Sequence, residues 1–291
     1  MTSATMRDYL QAVKRRLQTA HHSLRGAMLS WGLLPGRLDY VKFIILGRSR
    51  TGSNYLRGLL SSIEGVLVLG EILKNPVSVE WGTDEFPRSE GVDRGYRADP
   101  VRFLEQDVFR TLPDSIHALG FKLFYYHAQN PPFKRTWDYL RDRQEVRVIH
   151  IKRRNVLATH LSRARAVQSD QWVATSKPDS GLGPIKLEYS ALLEDFQQTR
   201  DWELHYDLYF ADHPMLEVHY EDLARERDVQ MRRIQAFLGL PLVPTQPQTY
   251  KQSRKSLRDS ISNFQELSDR FRGSDWESFF AEEDPDSRPS G

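Results

Sequence analysis

One segment, residues 41–63, constrains the fold of this 291-residue chain more than any other. It begins with the apolar run Val41–Leu46, which only Lys42 interrupts and which has the length of one buried strand. A polar loop follows, in which four residues separate Gly47 from Gly52. Beyond the loop, apolar residues recur at the spacing of a buried helix face: Tyr55, Leu56, Leu59, Leu60 and Ile63. A strand, a glycine loop and a helix in this order gather backbone N–H groups at the helix start, which favours phosphate binding.

The rest of the chain alternates between strand-like apolar runs and segments whose apolar residues recur at helical spacing. Further strand patterns lie at 65–69, 118–124, 146–151 and 215–219. Helix patterns lie at 101–111, 133–143, 155–167, 186–211 and 226–238. Residues 74–100 have many glycines, prolines and charges without a clean period, so we predict a long loop or lid there. The alternation predicts an α/β fold with a mainly parallel sheet and helices on both faces.

The domain organisation predicted from these patterns has three parts. Residues 1–36 are expected to be an amphipathic helical segment, 37–280 a single domain and 281–291 a flexible acidic tail. The basic amphipathic pattern at 6–29 is compatible with packing on the domain or with lying on a membrane surface, so peripheral membrane contact stays open. Whether the chain forms a homodimer also stays open.

The charge and cysteine content exclude several classes of protein. The chain has 41 basic and 39 acidic side chains, which argues against capture of nucleic acid by bulk charge. It has no cysteine, and no apolar run is long enough to span a membrane, so we expect a cytoplasmic protein without disulfides. Basic residues nevertheless cluster at three places, an arrangement that suits a small polyanion held from several sides. These clusters are Arg48, Arg50 and Arg57; Lys152–Arg154; and Lys251, Arg254, Lys255 and Arg258.

The two residues after Gly52 decide what kind of phosphate loop this is. A magnesium-dependent nucleotide triphosphatase needs Lys and then Ser or Thr, whereas this chain has Ser53 and Asn54. Basic side chains stand inside the loop instead, at Arg48 and Arg50. The pattern therefore predicts a phosphate cradle that works without a metal ion. The alternative is an ordinary strand-to-helix turn with incidental arginines.

Arg50-Thr51-Gly52-Ser53, followed by an apolar helix, resembles the 5′-phosphosulfate loop of sulfotransferases that use 3′-phosphoadenosine 5′-phosphosulfate (PAPS). The likeness is greatest to the bacterial carbohydrate and lipid type. It implies a P-loop-like parallel sheet, PAPS as donor, 3′,5′-adenosine bisphosphate (PAP) as product, and no metal. It also implies that Arg50 neutralises the bridging oxygen during transfer. The loop residues implied to bind the donor are Arg48, Ser49, Arg50, Thr51, Gly52, Ser53 and Asn54.

The same resemblance implies a second site, for the 3′-phosphate. The family pattern has an arginine at a strand end and a serine eight residues later, which Arg154 and Ser162 match. Val156 stands where a proline is usual, so the register is open by one residue and Arg153 is the adjacent candidate. The stretch with Lys251, Ser253 and Arg254 resembles the C-terminal loop that closes over the donor.

The acceptor side offers fewer signals. Related bacterial sulfotransferases have a glutamate as base where this chain has Glu71, and His127 is the second candidate. Lys122 and Tyr125 are expected to contact the substrate, although a salt bridge for Lys122 and a core position for Tyr125 are equally compatible. The acceptor is expected to be a hydroxyl or amine of a small molecule, glycan or glycolipid. The alternatives are a P-loop kinase or NTPase, and a nucleotide-binding protein without catalysis.

Overall fold

The computed structural model describes residues 24, 26, 28–29, 31–83, 85–86, 89–169, 183–246 and 256–281. Most of the predicted N-terminal helix, Lys251, Ser253, Arg254 and nearly all of the predicted tail therefore lie outside the described residues. The predicted division into three parts stays a prediction. No helix in the described ranges combines the length and apolarity needed to cross a membrane.

Seven strands are present in the described residues. They are β1 (Gly36–Arg37), β2 (Val41–Gly47), β3 (Val66–Leu69), β4 (Leu112–Pro113), β5 (Ala118–Phe124), β6 (Arg147–Lys152) and β7 (Met215–His219). Five of them form a sheet in the order β3-β5-β2-β6-β7, and β1 pairs with β4 in a small antiparallel sheet. The pairs β3–β5 and β6–β7 are parallel, as expected for strands joined through helices.

Ten α-helices lie wholly within the described residues, and the three longest correspond to predicted helix patterns. They are α1 (Ser53–Ser61), α2 (Glu90–Ala98), α3 (Pro100–Phe103), α4 (Arg135–Asp142), α5 (Val156–Ser169), α6 (Tyr189–Tyr209), α7 (Tyr220–Arg225), α8 (Arg227–Leu238), α9 (Leu257–Ser260) and α10 (Phe264–Phe271). A π-helical turn continues α3 over Leu104–Val108, and a 3₁₀ helix covers Glu277–Phe280. The predicted α/β fold is confirmed.

The prediction of a long loop or lid over 74–100 missed a helix, because α2 lies within this stretch. Ser89 caps this helix by accepting a hydrogen bond from the Val92 N–H at 3.2 Å, and Glu90 and Asp93 lie in its first turn. Only Tyr96 of α2 is buried. The helix is held by its cap and its charges and has no repeating apolar face, so its sequence gives no helical period of apolar residues.

The chain divides into two compact units. The first contains residues up to Ile44 and Glu64–Arg147, and the second contains Ile45–Ile63 and the chain from Val148 onward. In the first unit, Gly120 packs against the ring of Phe43, where a side chain would collide. In the second, a core of aliphatic and aromatic side chains from α5, α6 and α10 surrounds Phe196 and Phe271.

Candidate active site

Three strands have their last residues next to one another in the second unit. The parallel register of β6 and β7 puts Lys152 opposite His219, the last residue of each strand. A Cβ atom on Gly47, at the end of β2, would lie 2.6 Å from the Ile151 carbonyl oxygen, so glycine permits this close approach. The loops that follow β2, β6 and β7 therefore leave the same edge of the sheet, where α/β folds bind their ligands.

The loop after β2 has a backbone that few sequences can adopt. Gly52 has a φ of 88°, and a Cβ atom there would collide with the ring of Tyr220. Arg50 also has a left-handed φ, 69°, which is strained for a residue with a side chain and recurs at ligand sites. The Thr51 hydroxyl donates to the Arg48 carbonyl at 2.7 Å and closes the loop on itself.

The loop leads directly into the start of α1. Gly52 is the N-cap of this helix, no side chain caps it, and no acidic residue lies in its first turn. The first backbone N–H groups of a helix have no partner within the helix and carry the positive end of its dipole. Ser53 is buried at this helix start, and Ser49 and Asn54 are partly buried beside it. The predicted loop residues thus surround a place suited to an anion.

Two arginines meet above this helix start. The Arg50 Nε donates to the Ser162 hydroxyl at 2.8 Å, and the Arg153 Nη1 donates to the Arg50 carbonyl at 3.2 Å. The Arg153 guanidinium also stacks over Tyr220, 4.7 Å from the ring centroid. Burial and then repulsion from Arg153 lower the pKa of Arg50. An anion between these groups would relieve that repulsion.

Arg154 is held differently from Arg153. Its guanidinium makes two hydrogen bonds to the Asp222 carboxylate, at 2.7 and 2.6 Å, while its backbone N–H donates to Glu221 at 3.1 Å. The hydrogen bond from Arg154 lowers the pKa of Asp222. Ser162, the expected partner of Arg154, meets Arg50 instead. Arg153 also lies near a carboxylate, with its Nε 3.9 Å from Glu221 Oε1. Which of the two arginines binds the 3′-phosphate stays a prediction.

Glu221 and Asp222 make contacts of a structural kind. Glu221 accepts from the backbone N–H groups of Arg154 and Asn155, at 3.1 and 3.4 Å, where α5 begins. His150 is fully buried and has its Nδ1 2.8 Å from Asp207 Oδ1. Neither contact points to a role in proton transfer.

Arg48, predicted to bind the donor, is occupied by protein groups. Its Nη2 lies 2.5 Å from Asp195 Oδ1, its Nη1 donates to the Thr199 hydroxyl, and its guanidinium stacks over Trp202 at 5.0 Å. These contacts fix the side chain against α6. The predicted contact of Arg48 with the donor stays a prediction.

The first unit brings together a second group of predicted residues. The register of β3 with β5 pairs Leu69 with Phe121, and the Lys122 N–H donates to the Gly70 carbonyl at 3.1 Å. Glu71 therefore emerges beside Lys122, whose Nζ donates to Glu71 Oε1 at 2.9 Å. The predicted salt bridge of Lys122 is present. Whether Lys122 also contacts substrate stays a prediction.

The Glu71 carboxylate is 22% exposed, so it is sheltered without being sealed from solvent. Burial alone would raise the pKa of Glu71, but the charge and hydrogen bond of Lys122, then the charges of His127 and Lys74, bring that pKa below its ordinary value. Glu71 is therefore ionised at neutral pH. An ionised, partly exposed carboxylate can accept a proton from an incoming hydroxyl or amine.

His127 fits the role of base less well. Its Nδ1 accepts a hydrogen bond from the Phe124 N–H at 3.2 Å, so a neutral ring carries its proton on Nε2, which lies 3.7 Å from Glu71 Oε2. Burial lowers the pKa of His127 to about 4. The ring is neutral at pH 7, and neither nitrogen is available to take a proton from an acceptor.

Tyr125 is 1% exposed, which matches the core alternative for this residue. Its neighbour Tyr126 is 42% exposed. The predicted contact between Tyr125 and an acceptor stays a prediction. In the described residues, no group of three or more His, Asp or Glu side chains is arranged to hold a metal ion.

Three residues that contact the phosphate loop or its arginines were not predicted from the sequence: Tyr220, Asp195 and Thr199. Asp195, Thr199 and Trp202 recur at intervals of four and three residues, so they share one face of a helix. That spacing was visible in the sequence. Nothing in the sequence tells which other element this face contacts.

The chain is similar to known proteins. A family model described as "Sulfotransferase family" matches residues 43–244. Nodulation protein H of Rhizobium tropici is 30% identical over 258 residues, which cover 86% of this chain and 96% of that protein. Nodulation protein H of Rhizobium meliloti (strain 1021) is 26% identical over 82% of this chain and 94% of its own length.

Solved structures of sulfotransferases also resemble the chain. One is a sulfotransferase from Alicyclobacillus acidocaldarius, with a TM-score of 0.45 and 14% sequence identity over 85% of this chain and 98% of that one. The family model covers more than half of this chain, including both the phosphate loop and Glu71. By this family model and the 30% identity with Nodulation protein H of Rhizobium tropici, the chain belongs to the sulfotransferase family.

Proposed function

We propose that this sulfotransferase moves the sulfuryl group of PAPS to a hydroxyl or amine of a small-molecule, glycan or glycolipid acceptor. PAP is released, no metal ion takes part, and Glu71 is the general base. The observation that carries the proposal is the meeting of Arg50 and Arg153 at the start of α1, where the glycine loop leaves β2. Two cations at a helix N-terminus form a site for a phosphate group.

The residues at this edge fit a donor that carries phosphate groups at two positions. The loop 47–52 and the first N–H groups of α1 suit the 5′-phosphosulfate, because glycine lets the backbone approach closely. Ser162 and Arg153 suit the 3′-phosphate, with Arg154 as the neighbouring candidate. Lys251, Ser253 and Arg254 stay predicted contributors outside the described residues.

PAPS supplies an activated sulfuryl group joined to its 5′-phosphate. Arg50 would balance the negative charge that the phosphate acquires as its bond to sulfur breaks. Removing one preorganised charge or donor of this kind typically lowers a rate by about 10²- to 10³-fold. The strained φ of Arg50 is consistent with a side chain that is held in place for this purpose.

Glu71 would take the acceptor's proton as the acceptor oxygen or nitrogen forms its bond to sulfur. Lys122 holds Glu71 Oε1 through a hydrogen bond, whereas the nearest cation to Oε2, Lys74 Nζ, is 3.9 Å away, so Oε2 is the oxygen that would receive the proton. Because its pKa is lowered, Glu71 carries the negative charge that the proposed role requires at neutral pH. A positioned base typically contributes about 10²- to 10⁴-fold to the rate.

The proposal is tested by incubating the protein with PAPS labelled in its sulfate group, with a chelator present, and screening glycans, lipids and small metabolites. We expect label on at least one class of hydroxyl or amine acceptor and PAP as the second product. Phosphate transfer from ATP that needs added magnesium would support a kinase or NTPase instead. Tight binding of PAP without transfer to any acceptor would support a nucleotide-binding protein without catalysis.

A further inference from the structure

Asp195 of α6 links two elements that carry the predicted donor ligands. Its carboxylate lies 2.5 Å from Arg48 Nη2, 3.0 Å from His160 Nδ1 and in contact with the Arg163 guanidinium. Arg48 belongs to the phosphate loop, whereas His160 and Arg163 belong to α5, on either side of Ser162. One carboxylate thus joins the loop to the helix that carries Ser162.

Several contacts around Asp195 reinforce the same link. The Thr199 hydroxyl donates to the Asp195 carbonyl at 2.6 Å and accepts from Arg48 Nη1, which also lies 3.3 Å from that carbonyl. Trp202 covers the other side of the Arg48 guanidinium. The side chains of Arg48 and Asp195 are only 12% and 10% exposed, so solvent screens their interaction weakly.

The charges explain why a carboxylate is needed at this position. Arg48 contacts Oδ1 of the Asp195 carboxylate, and Arg163 contacts Oδ2 of the same carboxylate. Without the negative charge of Asp195, the two guanidinium groups would repel each other. Arg48 immediately precedes Ser49 and Arg50 in the loop. A displacement of Arg48 would therefore move the backbone that carries Arg50, whose Nε reaches Ser162.

We propose that Asp195 is a positioning residue of the donor site, which sets the distance between the phosphate loop and Ser162 by holding Arg48 and Arg163 together. The proposal rests on the proposed function, because it takes this site to bind PAPS and PAP. It makes Arg48 a structural tether of the loop, and it predicts that Asp195 governs donor affinity without contacting the donor.

The test measures PAP binding by calorimetry and the steady-state kinetics of Asp195→Asn, with Glu194→Gln as control. Glu194 is the exposed neighbour on the same helix, so the control loses one charge without losing these contacts. Asp195→Asn should weaken PAP binding about tenfold, the scale of one charge-assisted hydrogen bond, and raise KM for PAPS similarly. The kcat at saturating PAPS and KM for the acceptor should change less than twofold, and the control should match the wild type.

A double substitution separates positioning from general loss of structure. In an Arg48→Met background, the effect of Asp195→Asn on PAP affinity should be clearly smaller than in the wild type, because the contact is already absent. If Asp195→Asn lowers PAP affinity by the same factor in both backgrounds, the two residues act independently and the proposal is contradicted. If Asp195→Asn does not fold, Thr199→Val takes its place, with an expected loss of about threefold in PAP affinity.

The outcomes distinguish the two proposals. The role of Asp195 alone is overturned if the wild type binds PAP and Asp195→Asn binds it with the same affinity. Where Thr199→Val replaces Asp195→Asn, the same result for that variant has the same meaning. The role of Asp195 is also overturned if kcat at saturating PAPS and acceptor affinity fall as much as PAP affinity does, because such a result indicates general damage to the fold. Absence of PAP binding by the wild type overturns the proposed function and this inference with it.

Discussion

At the scale of single residues, the Glu71 carboxylate shows how a neighbour tunes a proposed base. Lys122 lowers the pKa of Glu71 and keeps it ionised, at the cost of some basicity. The position of Glu71 after a strand was predictable from sequence by resemblance. Its partner Lys122 lies 51 residues away, and its contact with Glu71 became visible only through the register of β3 with β5.

Glu71→Gln should lower kcat by about 10²- to 10⁴-fold, because the amide cannot take the acceptor's proton. PAP affinity should stay within twofold, since the contacts proposed for the donor come from other residues. Steady-state kinetics and calorimetry on the same preparation measure both quantities. Full turnover by this variant would remove Glu71 from the base role.

Lys122→Met should move the acidic limb of the pH profile of kcat/KM to higher pH. The substitution removes the charge and hydrogen bond that lower the pKa of Glu71, while the burial that raises it remains. Glu71 then loses its charge at a higher pH than in the wild type. The profile is measured at limiting acceptor, and an unmoved or downward-shifted limb would contradict the assignment.

His127 should affect the pH dependence of stability. Its pKa in the folded protein, about 4, lies below its ordinary value of 6.5, so the unfolded chain binds more protons between these two values. Acidification through this window therefore destabilises the fold, by on the order of 3 kcal/mol for this residue at its lower end.

Replacement by glutamine should remove that dependence. Urea unfolding of His127→Gln at several pH values should show a smaller loss of unfolding free energy from pH 6.5 to 4 than the wild type. His205→Gln, at an exposed site of α6, is the control. An identical pH dependence in wild type and His127→Gln would show that His127 does not titrate as described.

At the scale of elements, strands and long helices were predictable because their apolar residues repeat at a fixed interval. β5 and β7 have the predicted bounds, and α5, α6 and α8 lie within three residues of theirs. The helix α2 escaped prediction because a cap and charges, not an apolar face, hold it. The contact of α6 with the phosphate loop was equally hidden, because sequence spacing shows a helix face and not its partner.

The geometry of the phosphate loop yields a prediction at this scale. Gly52→Ala should destabilise the fold by about 1 to 3 kcal/mol, because it strains a left-handed backbone and forces a methyl group into the ring of Tyr220. PAP affinity should fall as well, since Tyr220 also supports Arg153.

Gly95→Ala is the matched control for this change. Gly95 lies inside α2 with open space around the added methyl group, so alanine there should stabilise by about 0.5 to 1 kcal/mol. Denaturant unfolding and calorimetry are run on both variants. Equal behaviour of the two variants would contradict the strained loop.

At the scale of the whole molecule, the proposed roles divide between the two compact units. All described residues that we propose to contact the donor belong to the second unit, and the Glu71 cluster belongs to the first. Substitutions of those proposed donor contacts should therefore change donor affinity, and Glu71→Gln should change turnover. Sequence resemblance supplied the family and the residue types at both places. The pairing of Arg48 with Asp195 and of Arg154 with Asp222 was not predictable, because the partners are far apart in the sequence and no local motif joins them.

The central claim is that Arg50 and Arg153 bind a phosphorylated nucleoside without a metal ion. Calorimetric titration of the wild type with PAP in the presence of a chelator tests it most directly, with Arg50→Ala and Arg153→Ala compared under the same conditions. We expect saturable binding by the wild type and a loss of affinity of about tenfold or more in each variant. No heat with PAP, together with saturable binding of ATP in the presence of magnesium, would contradict it.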